Sequence, residues 1–222
     1  MKNKKTTFIC LLVTGLSIIF MNAAIANKPD LKVKITAEIS SIKVKHHGKN
    51  ITIQRNQNPN NRIVEALSLT SRACPPHCIQ PIKIKGVETI GELELLSYLK
   101  KVSNGASSIL VIDTRSSAMA AQGTIPGSIN INGNRLIASR GANSIEIEEI
   151  LTQQFGAQEN SGTWNFKHAK TLVLYCYGIW CGQAPLTINA LISLGYPKHK
   201  LKWYRGGMQA WESLGLTTVR TK

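Results

Sequence analysis

Two uninterrupted apolar runs, Ile109-Leu110-Val111-Ile112 and Leu172-Val173-Leu174, constrain this chain more than any other feature. A strand with one wet face alternates apolar and polar residues, whereas an unbroken run belongs to a strand covered on both faces. Helical patterns lie before, between and after these runs, near 91–101, 117–122, 144–155, 184–194 and 207–214, with strands expected at 108–113, 171–176 and 201–204. Strands alternating with helices predict an α/β domain from residue 87 onward, with a central, mostly parallel sheet covered by helices. With 222 residues and 43% apolar side chains the chain can bury one sizeable core plus an appendage.

The segment before residue 87 has a different rhythm. Leu31, Val33 and Ile35 alternate with Lys32 and Lys34, and Ile42 and Val44 alternate with Lys43 and Lys45. This period of two predicts strands with one buried and one lysine-rich face, and His46-His47-Gly48-Lys49-Asn50 before Ile51-Thr52-Ile53 predicts a hairpin turning near Gly48. The lysine face reads as a soluble, edge-protecting surface, and the adjacent histidines as turn residues rather than metal ligands. A polar connector at 56–62 leads to a short helix or strand at 63–69. Cys74-Pro75-Pro76-His77-Cys78 follows, where two prolines exclude a helix interior. The expected organisation is a signal peptide at 1–26, a β extension at 27–70, a cysteine-bearing loop at 71–86 and the α/β domain at 87–222.

Lys2, Lys4 and Lys5, the uncharged run from Phe8 to Phe20 and Ala24-Ile25-Ala26 together have the form of a secretory signal. They predict cleavage after Ala26 and a periplasmic or secreted protein without stable membrane insertion; an uncleaved anchor is the competing reading. Cys10 falls inside the apolar run and is read as a signal residue. Formal charge is +15, and loss of the three lysines leaves 24 basic against 12 acidic side chains. Such a balance suits an anionic partner. Nucleic acid is not expected, because lysines spread over β faces without an aromatic platform form no recognised binding module.

Four cysteines remain: Cys74, Cys78, Cys176 and Cys181. In an exported chain they suggest disulfides, and three connectivities are open. Cys74 to Cys78 reads first as a structural disulfide, then as a redox relay to the second pair. A metal site there lacks a fourth ligand, so neither metal nor cofactor is expected.

Cys176 ends a predicted strand, and in an open α/β sheet the ligand crevice lies beyond the carboxyl ends of the strands. The loop Tyr177-Gly178-Ile179-Trp180-Cys181-Gly182 then leads into a helix with Pro185 in its first turn. Such a turn gathers backbone amides around an anionic sulfur and lowers a thiol pKa. The competing reading is a small apolar residue finishing a strand.

Four motifs occur in order: Val111-Ile112-Asp113-Thr114-Arg115, Gly123-Thr124-Ile125-Pro126-Gly127-Ser128, Tyr175-Cys176 with its loop, and Arg205-Gly206-Gly207-Met208-Gln209-Ala210-Trp211. Over about 87 to 219 the chain resembles the rhodanese-like (sulfurtransferase) family. The resemblance implies that Cys176 attacks a sulfane sulfur donor, thiosulfate or a persulfide, holds the sulfur as a persulfide, and passes it to a thiol acceptor, including a protein thiol. It implies that the amides of Tyr177 through Gly182 hold the outer sulfur, and that Asp113 and Arg115 brace loop and sheet. Arg205 adds positive potential at the crevice mouth or is an ordinary solvated arginine.

The chain departs from the family pattern in its loop. Where the family commonly has a basic residue five positions after the cysteine, Cys181 stands here, and no charged side chain lies between Cys176 and Pro185. A bound dianion loses an expected partner. The longer-loop phosphatases of this fold use an arginine six positions after the cysteine; Gly182 stands there, so the clamp for phosphoryl transfer is missing. Attack by Cys181 on a Cys176 persulfide would release sulfide and leave a disulfide. The alternative function is a redox or partner-binding module in which the 176/181 and 74/78 pairs exchange disulfides without carrying sulfane sulfur.

Overall fold

The computed structural model describes residues 31–220. The expected signal segment, residues 1–26 with Cys10, lies outside them. Among the described residues no helix is long and apolar enough to cross a membrane.

The chain opens irregularly. The strand expected around Leu31–Ile35 is absent, and the hairpin consists of β1 (Ser41–His46) and β2 (Lys49–Gln54) alone, antiparallel with Val44 opposite Ile51. Lys32, Lys34 and their apolar neighbours alternate as a strand would, but no second strand pairs with them, and alternation without a ladder leaves backbone donors unsatisfied. His47 and Gly48 both have positive φ, 47° and 76°, the two left-handed positions of a tight hairpin turn. The stretch at 63–69 contains one helical turn, α1 (Glu65–Ser68).

The α/β body follows as β3 (Glu88–Ile90), α2 (Glu92–Ser103), β4 (Ile109–Asp113), α3 (Ser117–Gln122), β5 (Ile129–Asn130), α4 (Ser144–Glu149), β6 (Gln158–Asn160), β7 (Thr163–Asn165), β8 (Thr171–Tyr175), α5 (Gln183–Ser193), β9 (Leu201–Tyr204) and α6 (Gly207–Ser213). β3, β5 and the β6–β7 hairpin were not expected. Each is only two or three residues long, too short for a periodic signal. The helix expected at 144–155 is α-helical only to Glu149 and continues as a π turn through Gln154.

Five strands form one parallel sheet in the order β3-β9-β8-β4-β5. The apolar run of β8 divides by parity. Leu172 and Leu174 enter one core with Phe155, Ile188 and Trp203, while Val173 and Tyr175 enter the other with Leu95, Leu99 and Trp211. This two-sided burial is what the unbroken apolar run requires. α2 covers the second face through Leu95, Leu96 and Leu99, and the Glu94 carboxylate accepts the free Gly91 N–H at 3.0 Å at its start.

The hairpin completes that second layer. Val44 and Ile53 are buried in the same cluster as Leu95 and Leu99. Gln54 and Thr217 hydrogen bond through backbone and side chain at 3.1 Å, so the extension also meets the C-terminal tail. On β1 the His46 ring is buried, and its Nδ1 accepts the Gly127 N–H at 3.1 Å. Burial, reinforced by the neighbouring His47, lowers the His46 pKa from its ordinary 6.5. As pH falls, the unfolded chain therefore takes up this proton first. The stabilising contribution is whole above 6.5 and is lost as pH drops through the lower folded value. Thermal melts between about pH 7.5 and 5 should show a falling Tm. In His46→Asn, which keeps a neutral acceptor, the fall should be smaller; an equal fall in both would place the acid sensitivity elsewhere.

Candidate active site

The site lies at the carboxyl ends of β4 and β8. β4 ends in Asp113, which is fully buried and receives Arg115 from three sides: its N–H and Nε reach Oδ1 at 3.1 and 2.9 Å, and Nη2 reaches Oδ2 at 2.6 Å. The Thr124 hydroxyl donates to Oδ2 at 2.8 Å, and Arg115 Nη2 also donates to the Gly123 carbonyl at 2.6 Å. Burial alone would lower the Arg115 pKa, but the hydrogen bonds and charge of Asp113 outweigh it and the guanidinium is held above its ordinary value. The pair leaves neither charge uncompensated.

One residue before the loop cysteine, the Tyr175 hydroxyl sits 2.8 Å from both Thr124 and Ser128 and accepts the Ile125 N–H at 3.2 Å. Burial, then the Asp113 charge, raises its pKa, so it remains a neutral phenol. One residue after the cysteine, the Tyr177 ring lies 5.0 Å from the Arg115 guanidinium. The first and second motifs thus converge on both neighbours of Cys176.

Cys176 is 3% exposed, and its Sγ is bonded to Cys181, with 6.2 Å between the Cα atoms. Cys74 and Cys78 form a second disulfide, with Cα atoms 4.7 Å apart. Of the three connectivities, the one that makes both local pairings is present. Cys181 N–H donates to the Gly178 carbonyl at 2.9 Å. The amides of Tyr177, Gly178, Ile179, Trp180 and Gly182 have no protein acceptor among the described residues. Backbone donors left free around a sulfur are what an anionic sulfur needs.

The fourth motif fits beneath this loop. Met208 N–H donates to the Cys176 carbonyl at 3.0 Å and Gln209 N–H to the Tyr177 carbonyl at 2.7 Å. Gly207 has φ +57°, and a Cβ there would stand 2.5 Å from the Cys176 carbonyl oxygen and 2.8 Å from Gly178 N. Arg205 does not line the cavity. It donates to the carbonyls of Gln80 and Pro81 at 2.6 and 3.1 Å, tying down the segment after the first disulfide.

A cavity of about 770 Å³ opens over the loop, lined by Cys176, Tyr177, Trp180, Cys181 and Gly182 from the domain and by Arg72, His77 and Cys78 from the segment before it. Trp180 is held from several sides. Its Nε1 donates to Gln209 Oε1 at 3.0 Å, Tyr177 stacks at 5.6 Å, His77 meets it edge-on at 5.4 Å, and the Arg72 guanidinium lies 4.1 Å over its ring. Gln80 N–H donates to the Ile179 carbonyl at 2.9 Å. Ile179 itself is 40% exposed at the surface. Sequence reasoning did not single out Arg72, Arg140, Met119 or Gln183, all of which line the cavity. Arg72 stands two residues before Cys74, the one nearby signal that could have drawn attention to it; the others carry no spacing that marks them. Among the described residues no group of three or more potential metal ligands comes together.

The rhodanese-like domain family matches residues 95–214. This chain belongs to that family. No curated protein matches it. Among solved structures, the rhodanese-like chain is similar to a Bacillus halodurans protein at 21% identity, covering 62% of this chain and 80% of that one with a TM-score of 0.43. It is similar to a Rhodopseudomonas palustris protein of unknown function, a possible tyrosine phosphatase, at 19% identity, covering 61% and 86% with a TM-score of 0.40. A human single-domain sulfurtransferase is similar at 21% identity, covering 57% and 96% with a TM-score of 0.35. At these scores none of the three likenesses bears on the chemistry. The matched rhodanese-like segment begins after the strap at 64–82, so the wall carrying Arg72 and His77 lies outside the domain match.

The contact at Gly207 gives a direct test of the loop's support. Gly207→Ala should destabilise the fold by about 2 kcal/mol or more, combining a left-handed backbone with a forced shift of the Cys176 peptide. Chemical denaturation measures this, and an effect under about 0.5 kcal/mol would show that the loop adjusts freely.

Proposed function

We propose that this protein is an exported sulfurtransferase that carries sulfane sulfur as a persulfide on Cys176 and delivers it to a thiol. The observation that carries the reading is Cys176 at the carboxyl end of β8, beneath a cavity and beside loop amides with no protein acceptor. Once the disulfide is reduced, the Cys176 thiolate attacks the outer sulfur of a donor such as thiosulfate. The donor S–S bond breaks, sulfite leaves with the electron pair, and the new persulfide anion is stabilised by the free N–H groups. An acceptor thiolate then takes the terminal sulfur and Cys176 leaves as thiolate.

Cys181 supplies a second exit. Its thiolate attacks the Cys176 sulfur, hydrosulfide leaves, and the 176–181 disulfide forms; a dithiol reductant must then reset the pair. In the disulfide form Cys176 is not a nucleophile, so activity depends on prior reduction. A second reading, disulfide exchange with a partner protein, is favoured by Cys78 lining the same cavity as Cys176 and Cys181.

Mass spectrometry of the reduced chain after thiosulfate should find one added sulfur on the peptide containing Cys176. Cys176→Ser should abolish it, and Cys181→Ser should keep it and prolong its lifetime by removing the internal exit. If no sulfur is added while the 176–181 disulfide reforms readily, and both substitutions impair disulfide exchange equally, the redox reading replaces this one.

A further inference from the structure

The loop carries no cation, yet its cavity holds two that no acid cancels. Of the three arginines lining it, Arg115 is neutralised by Asp113, while Arg72 and Arg140 meet only neutral groups. Arg72 Nη2 donates to the Ala66 carbonyl at 2.5 Å and its plane rests on Trp180, but its Nε is buried without a partner. Arg140 Nη1 donates to Asn134 and Gln183 side-chain oxygens at 3.2 Å each, and Gln183 Nε2 is buried without a partner. No aspartate or glutamate lines the cavity among the described residues. A guanidinium held by neutral partners, with donors left over and no carboxylate opposite it, suits an anionic ligand.

We propose that Arg72 and Arg140 form an anion subsite in the cavity that Cys176 and Cys181 line, and that it takes the carboxylate or sulfonate of an organic sulfur donor. The role of that ligand as donor rests on Cys176 carrying sulfur; the subsite itself does not. Arg72 of the strap and Arg140 of the domain thereby return the positive charge that the loop lacks. Size separates the two sources of such an anion. A cavity of about 770 Å³ far exceeds thiosulfate, and its walls include Leu69, Met119 and Leu186, which are 58%, 40% and 41% exposed. An apolar wall in a cavity lined by two uncancelled cations suits a ligand with a carbon body and an anionic head.

The test is equilibrium binding to the disulfide-bonded full chain, read by Trp180 emission as the signal lost in Trp180→Phe. Hexanesulfonate, methanesulfonate and the neutral hexanesulfonamide are titrated separately. Hexanesulfonate should bind best. Arg72→Gln and Arg140→Gln should each weaken it about tenfold, the loss of one charge-assisted hydrogen bond, and leave the sulfonamide unchanged. Arg72→Lys should recover part of the loss. Arg140 is exposed, so its variant separates lost binding from misfolding. Equal binding of sulfonate and sulfonamide, or no effect of either substitution, would overturn the subsite. Methanesulfonate binding as tightly as hexanesulfonate would overturn the organic donor in favour of a small inorganic anion. Sulfonate binding through Arg72 without any persulfide on Cys176 would sink the sulfurtransferase reading and leave the subsite standing.

Discussion

A carboxylate and a guanidinium, both withdrawn from water at the end of β4, hold the site together. Desolvating such a pair costs several kcal/mol per ion, and the cost is recovered only when geometry is good and the remaining lone pairs and protons are satisfied. Asp113 meets that condition through Arg115 and Thr124, and Arg115 spends its second bond on the Gly123 carbonyl. Because Thr124 also meets the Tyr175 hydroxyl and Arg115 lies over the Tyr177 ring, both residues flanking Cys176 take their positions from one ion pair. Two motifs more than fifty residues apart in sequence are therefore one structural unit.

The other half of the site comes from outside the matched domain. The strap through Arg72, the Cys74–Cys78 disulfide and Gln80 lies against Trp180 and Ile179, and Arg205 anchors it through the carbonyls of Gln80 and Pro81. Gln209 extends the anchorage, accepting from Trp180 and donating to the Leu67 carbonyl at 3.1 Å. A loop without cations is thus paired with a strap that has one. The family fold supplies the sulfur chemistry of the proposal and one of its two cations, Arg140, and the strap supplies the other, Arg72.

The long parallel strands and the helices between them were legible because their periodicity is strong and their burial two-sided. So was the place of Cys176 at a strand end, since a strand end followed by glycines is a local signal. What could not be read was every feature set by partners distant in sequence. The residues around Leu31 alternate but find no ladder, the edge strands β3 and β5 exist only through pairing with β9 and β4, and Arg72 gains meaning from Trp180, more than a hundred positions away. Arg205 shows the same limit: its sequence neighbours are the glycines of the last motif, but its partners are carbonyls of the strap.

Where the hairpin meets the tail has a consequence for how the chain reaches this state. Arg55 bridges Leu216, Thr124 bridges Val219, and Gln54 bonds Thr217 across a separation of 163 residues. Contacts this distant form only after the intervening loop entropy has been lost, which slows folding. During synthesis β1 and β2 emerge well before residues 216–217, which pair with Gln54 and Arg55. The hairpin must wait on a surface that is not yet complete, so strands made early are secured only when a segment more than 160 residues later arrives.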